Sequence, residues 1–363
     1  MRKIKETKSK EIAESVTKAA EEIQKATPKV SRKDLLSTGS TLLNLACSDN
    51  PFGGFLKGKY YFLVGDSTSG KTFLSMTCFA ESVLSSSFKD YRLIYDNVED
   101  GCLMDVGRLF GEAVAKKMEY PPNEFSFTVE EFYFNLDDTL KQGKPFIYVL
   151  DSMDGLSSVS EGEKFEQHKD AHQKGKDAPG SYGDGKAKKN SEGLRKVLSG
   201  LRDTGSILII ISQTRDNLGF GFEKKSRSGG HALRFYSTVE IWSSVGGQLK
   251  KSIRGKDRSV GVSVNLKVRK NRITGKNREV SVSIYPSFGI DDVGDCVDYL
   301  IDEGWWGKNK MSIEAGEFDV VATRDKLIQR IEEEGWENEL RSIVGNCWRE
   351  IEESAELKRK SRY

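Results

Sequence analysis

The chain contains no apolar run near the ~20 residues that a membrane span needs; the best are 207–211 and 146–150. Its start, MRKIKETKSKEIAES, carries cations but no apolar core segment, so no secretory signal is expected. Charge of one sign is also missing. Across 363 residues, Lys+Arg number 57 and Asp+Glu 55, so any basic surface must be local. Cysteines number five (Cys47, Cys78, Cys102, Cys296, Cys347), widely spaced and with no CxxC pair. That argues against a disulfide framework and against a cysteine zinc site. Five small buried hydrophobes in a reducing, cytoplasmic compartment fit better. No internal repeat is visible.

What remains is a polar but globular composition, 37% hydrophobic and 31% charged, long enough for one large domain with additions or two to three modules. Residues 9–26 read as an amphipathic helix through Ile12, Val16, Ala19, Ala20 and Ile23, ending before Pro28. Its apolar stripe must cover its own domain or a neighbouring subunit. Four short runs follow, at 60–64, 92–95, 146–150 and 206–211, apolar without alternation, with helical lengths between them. Strands buried on both faces look like this, and the pattern predicts an α/β fold with a mostly parallel central sheet. Each run ends in polar punctuation: Gly65, Asp96, Asp151, and Ser212 with Gln213. In such sheets the working crevice lies beyond the carboxyl ends of the strands.

Residues 160–190 have almost no aliphatic side chains and read as a long mobile loop. Val260, Val262, Val264, Leu266 and Val268 alternate with polar residues, as do Val280, Val282 and Ile284, which predicts an antiparallel hairpin around 271–276. Beyond 290 helical patterns dominate, with a stripe of Leu340, Ile343, Val344, Cys347, Trp348 and Ile351, then a basic tail.

The sharpest motif is Gly65, Asp66, Ser67, Thr68, Ser69, Gly70, Lys71 and Thr72, which matches GxxxxGK[ST] between a buried strand and a helix. Its backbone N–H groups can close around the phosphates of ATP, Lys71 reaches the β/γ oxygens, and Thr72 offers a hydroxyl to Mg²⁺. The strand-end Asp151 suits the same Mg²⁺. Asp96, Glu99 and Asp100 compete for one role, the acid that activates a water. Gln213 can touch a γ-phosphate and report on it to the next loop. The segment 214–230 mixes Arg215, Lys224, Lys225 and Arg227 with Phe220, Phe222 and glycines, a composition suited to single-stranded nucleic acid or to an ordinary loop. His168 and His172 stand four apart, but the segment lacks helical character and HExxH logic, so a metal role is not expected.

In this order the pieces resemble the RecA-like DNA recombinases of bacteria and phages. The similarity runs from 36–40 (LSTGS) through the phosphate loop, Asp151 with Ser152, and Ser212 with Gln213. It is tightest at 228–236 (SGGHALRFY) and 267–272 (KVRKNR), and covers about residues 35–306. The resemblance implies a P-loop ATPase core at 35–288, a short helical and oligomerising region at 1–34, and a small C-terminal domain at 289–363. It implies ATP-driven pairing and strand exchange by a helical filament on single-stranded DNA, acting on double-stranded DNA, with no membrane partner. Other ATPases of the same fold, a ring helicase or loader, and a filament scaffold with little hydrolysis are the alternatives. By resemblance Glu99 is the water-activating acid and Gln213 the γ-phosphate sensor. Lys270 and Arg272 would reach ATP on the neighbouring subunit, Phe235 would lie at a subunit contact, and 156–190 and 214–230 would face DNA. Three departures stand out: Glu99 follows Asp96 by three residues where the family's acid follows by two, the first DNA-facing segment is long and lysine-rich, and the chain ends basic.

Overall fold

A computed structural model describes residues 30–101, 104–174, 185–216, 225–227 and 230–359. The expected helix at 9–26, Cys102 and the aromatic pair Phe220 and Phe222 lie outside the described residues.

Fifteen strands are described. They are β1 (Leu35–Leu36), β2 (Phe55–Leu56), β3 (Tyr60–Gly65), β4 (Arg92–Asn97), β5 (Met118–Glu119), β6 (Phe146–Asp151), β7 (Ile207–Asp216) and β8 (Lys225–Arg227), then β9 (Val239–Ile253), β10 (Lys256–Asn271), β11 (Glu279–Tyr285), β12 (Gly289–Ile290), β13 (Gly307–Asn309), β14 (Ser312–Ala315) and β15 (Val320–Ala322). The main sheet runs β12-β11-β10-β9-β3-β7-β6-β4-β5, with β8 hydrogen-bonded to β7. The pairs β9/β3, β3/β7, β7/β6, β6/β4 and β4/β5 are parallel; the β9–β12 side is antiparallel. The four apolar runs are therefore the four inner parallel strands. Every residue of β3 and β6 is buried, as non-alternating sequences require.

One apolar cluster lies on each face. On one face the helix Lys71–Leu84 packs through Phe73, Leu74, Met76 and Phe79, and the same cluster continues to Val297, Leu327, Ile343, Val344 and Cys347. On the other, Val129, Phe132 and Leu136 meet Leu194, Val197 and Leu201 over Tyr60, Phe62, Tyr148 and Ile210. Cys47, Cys78, Cys296 and Cys347 are buried free thiols, as expected.

Several expectations are corrected. The stretch 160–190 is not a loop throughout: Val159–Gln173 is a helix, and another helix, Gly185–Thr204, starts within it. The first helix buries no residue, so it shows no apolar stripe. Local chemistry carries it instead: a reciprocal capping box between Ser158 and Glu161, and exposed pairs Lys169–Glu166 and Lys174–Asp170. His168 and His172 are thus helical after all, and among the described residues neither belongs to a cluster of three or more His, Cys, Asp or Glu side chains. The segment 214–230 is likewise not wholly loop, because β7 continues through Thr214, Arg215 and Asp216 and pairs with β8. Beyond 290 the helices are joined by the three-stranded sheet β13-β14-β15, too short for its alternation to register in sequence. Ile351 ends its stripe 40% exposed. No described helix is long and apolar enough to cross a membrane.

Candidate nucleotide site

β3 delivers Gly65 to the carboxyl edge of the sheet, and the helix Lys71–Leu84 begins six residues later, N-capped by Gly70 at φ +79°. A Cβ on Gly65 would stand 2.4 Å from Ser243 O, and one on Gly70 would stand 2.6 Å from Ile284 Cδ1. Both positions need glycine, for close approach in the first case and for backbone conformation in the second. The Lys71 ammonium folds over the loop and donates to Gly65 O at 2.9 Å and Asp66 O at 2.6 Å. Burial lowers its pKa, opposed by the carboxylates of Asp151, Asp66, Asp154 and Glu99. A cation held on two backbone carbonyls, in acidic surroundings, is poised for an anion that would relieve its desolvation. Ser243 Oγ donates to Ser69 O and so fixes the loop to β9.

Thr72 Oγ1 donates to Asp151 Oδ2 at 2.6 Å, and Tyr95 OH donates to the same oxygen at 3.0 Å. Burial pushes the Asp151 carboxyl upward, against those two hydrogen bonds. A hydroxyl and a carboxylate in contact beside the phosphate loop form a hard oxygen pair suited to Mg²⁺. The peptide between Asp151 and Ser152 is cis.

The structure separates the three acids after β4. Asp96 is fully buried and accepts from Ser126 N at 3.0 Å, Ser126 Oγ at 2.6 Å and Tyr148 OH at 2.7 Å. Strand alternation turns Tyr95 toward Asp151 and Asp96 to the opposite face, so Asp96 anchors a loop away from the phosphate loop. Asp100 is exposed, in a left-handed turn at φ 48°. Glu99 alone joins the site. It accepts from Ser152 Oγ and from Gln213 Nε2, the latter at 3.2 Å to each carboxylate oxygen. Gln213 N donates to Asp154 Oδ2 at 2.7 Å. One residue further along β7, Thr214 Oγ1 donates to Asp66 Oδ1 on the phosphate loop.

Lys270 and Arg272 lie elsewhere. Lys270 pairs with Glu240, which pairs with Phe62, and Asn271 pairs with Val239, which pairs with Tyr61, so both cations stand toward the amino end of β3, Lys270 about 10 Å of strand from Gly65 and Arg272 farther. Lys270 Nζ donates to Arg234 O and, at 2.8 Å, to Phe235 O; Arg272 Nη2 donates to Phe235 O at 2.8 Å. They complement the carbonyl end of the helix His231–Tyr236. Burial, with Arg272 beside it, lowers the Lys270 pKa to about 8. Phe235 is 63% exposed in this corner, with the Arg272 guanidinium 5.9 Å from its ring centroid.

Sequence reasoning missed Tyr95, Asp154 and Ser243, and gave Ser152 no role of its own. A tyrosine near the end of an otherwise aliphatic strand is a weak signal for a hydroxyl at the edge. The others belong to no spacing rule, because each meets its partner across strands.

The family model for the RecA N-terminal domain matches residues 173–291. The chain is 26% identical to protein RecA of Cytophaga hutchinsonii over 279 residues, 74% of this chain and 69% of that one. It is 26% identical to protein RecA of Caulobacter sp. strain K31 over 321 residues, 82% and 83% of the two chains. It is 26% identical to protein RecA of Thermus thermophilus over 306 residues, 83% and 81% of the two. Over most of its length, therefore, the chain is similar in sequence to RecA proteins.

Proposed function

We propose that this chain is a recombinase that assembles on single-stranded DNA as a filament or ring, hydrolyses ATP with Mg²⁺, and promotes homologous pairing and strand exchange with double-stranded DNA. The residues present fit both small ligands: two obligatory glycines, an ammonium held over the loop, and the Thr72–Asp151 oxygen pair. ATP with Mg²⁺ supplies the phosphoryl group and neutralises its charge. The backbone of 65–72 and Lys71 cradle the phosphates, while Thr72 and Asp151 hold the cation. Glu99, the acid oriented by Ser152 and Gln213, takes the proton of the attacking water. Lys270 and Arg272, remote from their own phosphate loop, complete the site of an adjacent subunit, with Phe235 at the contact. Residues 35–288 form the working core, 1–34 the oligomerising segment and 289–363 a small C-terminal domain, in the cytoplasm of a bacterial or phage-infected cell.

One observation carries this reading. β7 holds Gln213 on Glu99 and Thr214 on Asp66, then runs on into the 214–230 segment proposed to face DNA, as the helices about 156–190 also would. A single strand thus joins the proposed water-activating acid and the phosphate loop to a DNA-facing segment. The test is ATP turnover with and without single-stranded DNA, followed by strand exchange. Stimulated turnover with exchange supports the proposal; turnover without exchange points to a helicase or loader, and binding without turnover to a scaffold.

A further inference from the structure

β6 ends before the strand it supports. The β6/β7 ladder closes where Leu150 pairs with Ile210, while β7 runs on to Asp216. Beyond that point two groups from the turn after β6 stand in for a strand. Met153 N donates to Ile211 O at 3.0 Å, and the Asp154 carboxylate accepts from Gln213 N at 2.7 Å. Ile211 and Gln213 are alternate residues of β7, both turned to the β6 side, with Ser212 between them opposite Val64 of β3. The last rung is therefore made by a side chain. It satisfies a backbone N–H that β6 no longer reaches, and a carboxylate makes the bond charge-assisted.

The same turn handles Glu99. Ser152 Oγ donates to the Glu99 carboxylate, and Gly155 N closes the turn on Ser152 O at 3.2 Å. A Cβ on Gly155 would stand 2.9 Å from Val98 Cγ1 and 3.2 Å from Glu99 Cγ, so the turn packs on the stem of the acid. Residues 152–155 thus hold both partners of the Glu99–Gln213 contact, the acid by its side chain and Gln213 by its backbone. The Asp154 charge also acts on the Lys71 ammonium, which places the turn beside the phosphate loop. Neither the grip on the phosphates nor the Thr72–Asp151 pair uses Asp154.

We propose that Asp154 is a positioning residue for ATP hydrolysis, whose carboxylate sets where the Gln213 amide stands against Glu99. The proposal rests on the reading of Glu99 as the water-activating acid and Gln213 as the γ-phosphate sensor. A ladder of backbone bonds would lock β7 to β6. A side-chain rung does not: a Gln213 drawn toward a γ-phosphate gives up one acceptor while the inner strands stay paired. Without the rung, Gln213 loses its fixed place on the β6 side, and a misplacement of about 1 Å can cost ~10²-fold in rate.

The test measures ATP turnover on oligo-dT for the wild type, Asp154→Ala, Asp154→Asn, Gln213→Ala and the double variant Asp154→Ala/Gln213→Ala. Asp154→Ala should lower the stimulated kcat at least tenfold, with KM for ATP within threefold. Asp154→Asn keeps an acceptor oxygen and should recover most of that loss. In the Gln213→Ala background, Asp154→Ala should cost no more than twofold further, because the amide it places is gone. A group that merely supported the sheet would multiply the two losses. Hydrogen exchange supplies a readout without hydrolysis: Asp154→Ala should exchange faster at 211–216 and unchanged at 146–150. A smaller fall in kcat, the same loss in Asp154→Asn, multiplied losses in the double variant, or faster exchange that spreads into 146–150 overturns the proposal. A wild type without turnover, or a Gln213→Ala variant that matches it, strikes the sensor reading instead. The exchange then decides Asp154 by itself: a change confined to 211–216 upholds the placing of Gln213, and no change overturns it.

Discussion

Gln213 Nε2 bridges both carboxylate oxygens of Glu99, 3.2 Å from each. The two residues are 114 positions apart: Gln213 lies on β7 and Glu99 in the turn after β4, and β6 separates those strands. An amide that donates to a carboxylate orients it without taking its negative charge, so the acid stays able to accept a proton. A ligand oxygen that drew Gln213 away would free Glu99 and pull on β7 in the same movement.

Glu99→Gln should lower ATP turnover by ~10²–10⁴ while leaving nucleotide affinity nearly unchanged. Asp96→Asn should behave differently. It disturbs a buried carboxylate with three donors, so it should cost about 1–3 kcal/mol of stability and leave turnover per folded molecule within a few-fold. Steady-state turnover beside thermal melts separates the two, and the reverse pattern would show that the wrong acid has been assigned.

Tyr95→Phe removes one of the two hydroxyl donors from Asp151 Oδ2. A hydrogen bond to a charged group contributes about 1.5–3 kcal/mol, so the carboxylate should titrate higher and hold Mg²⁺ less well. The Mg²⁺ concentration for half-maximal turnover should rise several-fold, with kcat at saturating Mg²⁺ little changed. A fall in kcat with no change in Mg²⁺ requirement would count against Asp151 as the cation's partner.

Lys270→Ala should abolish DNA-stimulated turnover without unfolding the subunit, because Lys270 lies about 10 Å of strand from its own phosphate loop. Mixing it with Lys71→Ala subunits, which should themselves lose most nucleotide binding or turnover, should restore part of the activity through composite sites. Absence of rescue, with full activity in Lys270→Ala alone, would refute a shared site.

Asp295 makes stability depend on pH. It is 8% exposed, its Oδ2 accepts from Ser283 N at 2.8 Å, and burial raises its pKa to about 7, with Asp291 and Asp292 adding to the shift. The folded state therefore binds the proton that the unfolded chain has already released. Stability from this group is fully present below the ordinary value near 3.8 and is lost as pH rises to about 7. Asp295→Asn keeps an acceptor for Ser283 and removes the charge. Its melting temperature should exceed that of wild type at pH 8 and converge with it toward pH 4. Parallel melting curves for the two proteins across that range would show that Asp295 does not titrate there.

The phosphate loop, the four inner strands and the hairpin at 271–276 are legible in sequence because local rules define them. A fixed spacing of glycines and a lysine, non-alternating apolar runs and strict alternation need no distant partner to be recognised. Residue order alone also places Asp151 and Gln213 on one edge of the sheet, although β7 runs on past Gln213 to Asp216. The helix Val159–Gln173 is hidden because it buries nothing, so no apolar period marks it. Sequence leaves Asp96, Glu99 and Asp100 as equals. Only the sheet separates them, turning Asp96 onto Ser126 and Tyr148 and bringing Ser152 and Gln213 to Glu99. The remoteness of Lys270 from its own phosphate loop is likewise a matter of strand register. Register depends on pairing between segments far apart in the chain, and no local spacing encodes it.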